Sequence, residues 1–126
     1  MTSQTTRPLA RTPENPVSEG DCQLFQRTVE LTGRRWSGAI LWAAVAGARR
    51  FVEYRRFVAG ISDRLLTQRL RELEQQGFIT REVVPTMPVQ ILYTPTEAGA
   101  ELIAAMQPLG EWGAKHRDVL ERIEPE

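Results

Sequence analysis

The chain has 126 residues, 41 % of them apolar and 25 % charged, which fits one globular domain and argues against a disordered or fibrous protein. Its 16 basic and 16 acidic side chains cancel, yet residues 27–81 carry 11 basic and 5 acidic groups, a net charge of +6, and residues 82–126 carry 3 and 8, a net of −5. This asymmetry indicates an anionic partner for the middle segment.

The first twenty residues differ in composition from the rest of the chain. Proline, threonine, serine, glutamine and asparagine are frequent in residues 1–20, which predicts a flexible N-terminal tail before a folded domain over residues 21–126. Apolar residues then recur at helical spacing. This pattern predicts an amphipathic first helix that begins at Asp21, a good N-cap, and ends at Gly33.

Three more helices are predicted over residues 37–46, 53–58 and 62–76. Ser37 and Ser62 are good N-cap residues, and a glycine follows each segment within two residues as a helix stop. The second helix is apolar on most sides, so we expect it to be buried.

The periodicity changes after the fourth helix. Residues 78–84 and 89–94 are rich in β-branched and aromatic side chains and flank the turn Pro85-Thr86-Met87-Pro88, which predicts a β-hairpin. The sequence Thr94-Pro95-Thr96-Glu97 then fits a capping box with proline at the first helical position. It opens a last helical segment that Pro108 is expected to kink or split.

Short helices followed by a hairpin predict a mainly α chain with a small β-hairpin (α+β), arranged as a winged helix-turn-helix. Such a fold places its second helix of the pair in the major groove of DNA, and on the fourth helix Leu66, Leu70 and Leu73 share one face. The opposite side can donate hydrogen bonds to base edges or phosphates, although an ordinary solvated helix would carry similar residues. The predicted DNA-contacting residues of this segment are Ser62, Arg64, Thr67, Gln68, Arg71 and Gln75.

Other arginines are candidates for phosphate contacts near this helix. Ordinary surface charge is the alternative explanation for them. In the hairpin, Arg81 and Gln90 are predicted to touch the DNA backbone or the minor groove, whereas Arg69 projects toward the apolar side of its helix and is expected to form a structural ion pair. The phosphate candidates are Arg49, Arg50, Arg55 and Arg56.

A string of matched motifs over residues 22–113 resembles the HxlR family of bacterial transcriptional regulators, which is related to the MarR group. The resemblance implies a winged-helix homodimer, joined through its first and C-terminal helices, that binds an inverted repeat in double-stranded DNA near a promoter. The wing position that is usually basic in the family is Gln90 here. The motifs are Gly33-Arg34-Arg35-Trp36-Ser37, Arg50-Phe51, Glu53-Tyr54-Arg55-Arg56, Gly60-Ile61-Ser62, Leu66, Gln68-Arg69-Leu70-Arg71-Glu72-Leu73-Glu74, Gly77, Tyr93, Thr96-Glu97 and Gly99.

A homodimer is also expected because the C-terminal segment carries more apolar side chains than a small domain with one core can bury. The predicted interface residues are Leu24, Leu102, Met106, Leu109 and Trp112. The tryptophans favour core or interface packing, with an aromatic ligand pocket at the dimer seam as the alternative. A ligand-sensing or protein-interaction module without DNA binding is therefore the competing functional hypothesis.

The single cysteine, Cys22, permits no internal disulfide, and two interpretations of it stay open. A helix N-terminus favours the reactive thiolate, while Asp21 and burial would oppose it. The family resemblance implies that a subset of members senses oxidants, quinones or aldehydes at the matching cysteine. We therefore predict that oxidants or quinones lower DNA affinity through Cys22.

The sequence offers little for other classes of function. Cys22 and His116 are the only conventional catalytic nucleophile and base. They lie near opposite ends of the folded segment and would come together only in a fortuitous fold, so we expect no enzymatic activity. No metal site, cofactor or glycine-rich phosphate loop is expected. The longest apolar run, residues 39–46, is too short to cross a bilayer, and no signal peptide is recognisable, so a cytoplasmic protein is expected.

Overall fold

The computed structural model describes residues 19–123 and divides after Arg34 into two units, the first holding one helix and the second all other elements. The predicted tail over residues 1–20 lies outside the described residues except for Glu19 and Gly20, which already belong to the first helix. In chain order the elements are α1 (Glu19–Gly33), α2 (Ser37–Ala46), α3 (Phe51–Phe57), α4 (Asp63–Gln75), β1 (Ile79–Val84), β2 (Gln90–Pro95), α5 (Glu97–Lys115) and α6 (Arg117–Glu121).

The first helix starts earlier than its sequence predicts. Because α1 already includes Glu19, Asp21 is its third residue and is not the N-cap, while the predicted end at Gly33 is confirmed. Glu19 and Asp21 both lie in the first turn, where negative charge stabilises the positive end of the helix dipole.

α2 is the centre of the core in the second unit, since it contacts α3, α4, α5 and β2. Its start differs from the prediction: Trp36 is the N-cap, with a left-handed φ of 78°, and Ser37 is a buried first helical residue whose side chain caps nothing. The helix ends as predicted at Gly47, whose φ of 119° suits glycine.

α3 begins two residues before the predicted start. Arg50 is the N-cap, and the Glu53 carboxylate accepts the backbone N–H groups of Arg49 and Arg50 at 2.9 Å each. These bonds, that from Arg50 first, hold the pKa of Glu53 below its usual range. The sequence pattern missed this start because arginine is not a typical N-cap, and here a carboxylate inside the helix satisfies the free N–H groups.

α4 agrees closely with its prediction. The Ser62 hydroxyl accepts the N–H of Leu65 at 3.1 Å, and Gly77 follows the helix with a φ of 87°. Leu66, Leu70 and Leu73 are all buried, so the predicted apolar face packs into the core.

The hairpin forms as predicted, with β1 and β2 antiparallel and Arg81 opposite Tyr93. The predicted cap of the next helix is wrong, because Thr96 and not Thr94 caps α5 by accepting the N–H of Gly99 at 3.1 Å. Pro95 pairs with Ile79 at the end of β2, and this pairing moves the helix start by two residues.

Pro108 lies inside a continuous α5, so the split expected there as one of two alternatives is wrong. The helix continues to Lys115, and the break falls at His116 before the short α6. Proline removes the hydrogen bond to the carbonyl four residues earlier, that of Ala104. Both residues are exposed, so water can satisfy that carbonyl and the helix persists.

Two polar contacts fix β2 against α3. The N–H of Tyr93 donates to the carbonyl of Arg49 at 2.7 Å, and the Tyr54 hydroxyl donates to the carbonyl of Tyr93 at 2.8 Å. The two tyrosine rings also pack edge to face, with centroids 6.1 Å apart. Burial raises the pKa of Tyr54 to about 12. The hairpin is thereby held at a defined position beside the helical core.

Candidate nucleic-acid interface

The outer face of α4 is polar and exposed along its length. Arg64, Thr67, Gln68, Arg71 and Gln75 are all exposed, opposite the three buried leucines. At 1.5 Å per residue, Gln75 lies about 16 Å further along the axis than Arg64, so the two ends of the helix face different parts of any bound partner. The predicted DNA-contacting residues of α4 therefore share one face, and Gln75 is the most remote from its N-terminal end.

α4 and the hairpin line one groove of about 300 Å³. Thr67, Arg71 and Glu74 of α4 meet Arg81 of β1 and Tyr93 of β2 around it. The structure thus brings Arg81 to the surface that carries the polar face of α4. Gln90 lies at the far end of β2, opposite Val84, and is exposed.

Several candidate arginines are held by intramolecular partners. The Arg49 Nη1 donates to the carbonyls of Ala44 and Ala48 at 2.7 and 2.6 Å, so this half-buried side chain binds the C-terminal end of α2. Arg55 Nη1 lies 3.0 Å from both carboxylate oxygens of Asp63. Arg50 lies 3.7 Å from the Glu53 carboxylate.

Arg69 has the structural role predicted for it. Its Nη1 lies 3.0 Å from the Glu72 carboxylate, and its Nε donates to the carbonyl of Arg35 at 3.1 Å.

Four candidate arginines are different from these. Within residues 19–123, their guanidinium groups have no hydrogen bond or ion pair with another residue, and all four are exposed: Arg56, Arg64, Arg71 and Arg81. Three of these four lie on α4 or on the strand beside it. Unpaired arginine forks on one surface are the groups that bind phosphates and guanine edges.

Two polar residues of the predicted set already use their hydroxyls. The Ser62 hydroxyl accepts the N–H of Leu65, and the Thr67 hydroxyl donates to the carbonyl of Asp63 at 2.8 Å. Thr67 therefore offers its methyl group and an acceptor lone pair to a partner, but not its proton.

Cys22 is exposed in the fourth position of α1. This exposure is that of a single chain, so an inert thiol buried in a dimer seam and a reactive thiol both stay predictions. An exposed thiol is accessible to oxidants and electrophiles.

The predicted interface residues fall into two groups. Leu24, Leu109 and Trp112 are exposed, Leu109 to 63 %, whereas Leu102 and Met106 are half-buried against the chain's own core. A groove of about 790 Å³ with mainly apolar walls runs between α2, α5 and α6. Its lining includes Gly38, Ala39, Trp42, Met106, Leu109, Gly110 and Leu120.

The sequence motifs include Tyr93 and Glu72 without giving either a role, and they do not predict which tryptophan is exposed. α2 was expected to be buried throughout, yet Trp42 is 48 % exposed in the apolar groove, and an all-apolar helix gives no signal of which side is open. The contacts of Tyr93 are likewise non-local. Glu72, which accepts a hydrogen bond from Gln68, could have been found from the spacing of four residues between them.

No three histidine, cysteine, aspartate or glutamate side chains of residues 19–123 are grouped as a metal ion would require. No helix among the same residues is long and apolar enough to cross a membrane.

This chain is similar in sequence to a known protein family and to individual regulators. The sequence model described as HxlR-like helix-turn-helix matches residues 31–121. Two proteins of Bacillus subtilis (strain 168) are similar: the uncharacterized HTH-type transcriptional regulator YdeP is 35 % identical over 99 residues, 79 % of this chain and 77 % of its own. The HTH-type transcriptional regulator YodB is 37 % identical over 91 residues, 72 % of this chain and 81 % of its own.

Solved structures give the same result. The redox regulator HypR in its reduced form superposes with a TM-score of 0.72 at 37 % identity, over 79 % of this chain and 99 % of HypR. Reduced YodB from B. subtilis superposes with a TM-score of 0.67 at 36 % identity, over 75 % of this chain and 93 % of YodB. Diamide-treated and quinone-bound YodB also match, with TM-scores of 0.64 and 0.62.

Proposed function

The chain belongs to the HxlR-like helix-turn-helix family of transcriptional regulators, as its motifs predicted, and we propose that it binds an inverted-repeat operator in duplex DNA as a homodimer. One observation carries this proposal: Arg64, Arg71 and Arg81, none of them paired within the described chain, lie on α4 and on the strand beside it. The relatives are named as regulators, so we propose no catalytic activity. A DNA-binding role also puts the protein in the cytoplasm with the chromosome.

In the proposed complex the N-terminal half of α4 enters the major groove. Arg64 is suited to a guanine edge, Gln68 to an adenine edge, and the methyl group of Thr67 to a thymine methyl. Ser62, whose hydroxyl caps the helix, contributes through its position at the helix N-terminus, where backbone N–H groups attract a phosphate. Gln75 is assigned to the DNA backbone because of its distance along the axis.

We assign phosphate contacts first to the arginines whose guanidinium groups are not bonded to other described residues. Arg56, Arg71 and Arg81 need to break no intramolecular bond that the described residues provide. Arg50 and Arg55 can exchange their carboxylates for phosphates, because exposed ion pairs contribute only about 0–1 kcal/mol each. We assign no phosphate contact to Arg49, because its guanidinium already binds the C-terminal end of α2.

The hairpin contributes mainly through Arg81. Gln90 is neutral, so any contact it makes in the minor groove is a hydrogen bond without a charge.

Homodimer formation is supported by exposed apolar side chains in both units. α1 exposes Leu24, Phe25 and Val29, and the C-terminal segment exposes Leu109 and Trp112. We propose that both faces are buried in the dimer. Two copies of α4 must then lie about 34 Å apart to enter successive major grooves on one side of the duplex.

The test is fluorescence anisotropy with a duplex that the protein selects from a random library. Wild-type protein should prefer the selected duplex over a scrambled one at physiological salt. Arg71→Ala should weaken both and reduce the salt slope of log K by about 0.9, the value for one lost phosphate contact. Arg122→Ala, which removes an exposed arginine at the end of α6, is the control and should leave the slope unchanged. Equal affinity of the wild type for both duplexes would refute the proposal.

We further propose that Cys22 makes the binding redox-responsive, as the thiol exposed in the single chain and the diamide-treated and quinone-bound forms of the similar regulator YodB support. Diamide would oxidise two Cys22 thiols of one dimer to a disulfide, while its N=N bond takes up the two electrons and two protons. Treatment should lower operator affinity in the wild type and leave Cys22→Ser unaffected. Unchanged affinity in protein whose Cys22 is shown by mass spectrometry to be modified would end this part of the proposal.

A second candidate function is a module that senses a small aromatic ligand at the dimer seam. The apolar groove beside Trp42 is the observation that favours it. Calorimetric titration with aromatic compounds, compared between the wild type and Trp42→Ala, tests it. Binding lost in the variant would support a ligand site, and absence of binding to the wild type would remove this candidate.

A further inference from the structure

A continuous series of hydrogen bonds links Gln68, a proposed base-contacting residue, to the segment before α2. The Gln68 Nε2 donates to Glu72 Oε1 at 3.3 Å, and Arg69 Nη1 donates to the same oxygen at 3.0 Å. Arg69 Nε donates to the backbone carbonyl of Arg35 at 3.1 Å. All four residues belong to the second unit of the chain.

The inner part of this series is shielded from solvent. The side chains of Arg69 and Glu72 are only 12 % and 23 % exposed, so their ion pair is weakened less by water and salt than the surface pairs described above. A carboxylate only accepts hydrogen bonds, so the amide group of Gln68 must turn its nitrogen toward Glu72. Its oxygen and its second N–H then remain available outward.

That outward edge is the one that adenine recognition uses. A glutamine pairs with adenine by accepting from the N6 amino group and donating to N7. An amide that is already oriented loses less side-chain freedom on binding, and the opposite orientation is disfavoured because it would bring two oxygens together.

The other end of the series is also held. The carbonyl of Arg35 belongs to the peptide that joins it to Trp36, and the φ of 78° at Trp36 sets the orientation of that peptide. The Trp36 ring packs against the core, and the Arg35 guanidinium lies 5.2 Å from the ring centroid. A left-handed φ at a tryptophan is costly and persists only where surrounding contacts impose it. The carbonyl is thus a fixed anchor for Arg69.

We propose that Glu72 and Arg69 are positioning residues that hold the Gln68 amide for an A·T base pair and so determine specificity at one position of the operator. The inference rests on the proposed function. It predicts that the two residues affect discrimination at a single base pair, whereas a residue that only stabilises the fold would weaken binding to all sequences alike.

The experiment measures affinities of the dimer for duplexes that carry each of the four base pairs at every operator position. Gln68→Ala identifies the base pair concerned, at which the wild type should prefer A·T about tenfold or more. Glu72→Ala should reduce that preference to below about threefold and leave other positions unchanged. In the Gln68→Ala background, Glu72→Ala should have no further effect on this base pair.

Matched variants separate positioning from charge and folding. Glu74→Ala removes a neighbouring exposed carboxylate, so it should change affinity for all sequences equally and keep the preference. Glu72→Gln keeps an acceptor oxygen and should retain more of the preference than Glu72→Ala. Arg69→Lys keeps the charge but lacks the Nε that donates to Arg35, so it should lower the preference for A·T. This variant tests the positioning role if Glu72→Ala does not fold.

The outcomes distinguish the inference from the function it rests on. A wild-type protein without any sequence preference would refute the proposed function. A wild type that prefers A·T at the Gln68 position, with the same preference in Glu72→Ala and Arg69→Lys, would overturn the positioning role and leave DNA binding intact.

Discussion

Replacing Tyr54 by phenylalanine removes a single oxygen atom from the centre of the fold. Tyr54 is fully buried, and its hydroxyl donates to the carbonyl of Tyr93 at 2.8 Å. The Tyr93 N–H donates to the carbonyl of Arg49, so both polar backbone groups of Tyr93 point away from β1 and bond to the helical part of the molecule. The substitution therefore breaks one of two backbone contacts that hold the hairpin, while the ring packing is kept.

The expected loss follows from the burial of this bond. A hydrogen bond contributes about 0.5–1.5 kcal/mol net, and leaving its acceptor unsatisfied costs about 1–3 kcal/mol. Tyr93 is half-buried, so water can reach its carbonyl in part, and the lower half of that range applies. We expect Tyr54→Phe to lower the free energy of unfolding by about 1–2 kcal/mol.

The assay is urea unfolding followed by far-UV circular dichroism at one fixed protomer concentration, because dimerisation makes apparent stability depend on concentration. With an m value of about 1–3 kcal/mol per molar urea, the midpoint should fall by roughly 0.3–2 M while m stays constant. Tyr93→Phe is the control, since no hydrogen bond of its hydroxyl is present in the described residues.

The result that would refute this reasoning is equal stability of the two phenylalanine variants. It would mean that the Tyr54 hydroxyl adds nothing to the stability that its ring provides, and that the hairpin is held without this hydrogen bond, by the Tyr93 N–H and by core packing such as that of Ile79. A changed m value would instead show that the variant alters the extent of unfolding, which the structure does not predict.

Three further predictions follow from individual contacts. Burial raises the pKa of Tyr54 from 10 to about 12, so the folded state should keep its full stability below pH 10 and lose up to about 3 kcal/mol of unfolding free energy as the pH rises through 12. Unfolding curves measured at alkaline pH should show this loss in the wild type and not in Tyr54→Phe. Gly99→Ala should lower stability by about 1–3 kcal/mol in thermal melts, because its Cβ would collide with the carbonyl of Phe78; an unchanged melt would contradict this. Leu109→Glu should convert the proposed dimer to monomer in sedimentation velocity at micromolar concentration, where a monomeric wild type would exclude the dimer.

Local chemistry accounts for what could be predicted from the sequence. The α4 leucines, the Ser62 cap and Gly77 act within one turn of helix, so their pattern gave the helix and its buried face correctly. The start of α5 was wrong for a non-local reason, because Pro95 was drawn into β2 by pairing with a residue sixteen positions earlier, Ile79.

In the candidate site, too, the sequence predicted local features correctly and did not predict those that depend on distant contacts. The polar face of α4 followed from helical periodicity, but the charge available on it did not. Arg55 is paired with Asp63, eight residues away, and Arg49 with the end of the preceding helix, so arginines that look alike in the sequence differ in what they can bind. Such partners depend on tertiary contacts that no spacing rule gives.

Because of where its three tryptophans lie, the protein's intrinsic fluorescence can report its association. Trp42, which lines the apolar groove, and Trp112 of α5 are both 48 % exposed, while Trp36 is half-buried against the core. Emission from an indole shifts to shorter wavelength when water is removed from it. Association that buries Trp42 and Trp112 should therefore shift the emission of two of the three fluorophores, and dilution should reverse the shift without any attached dye.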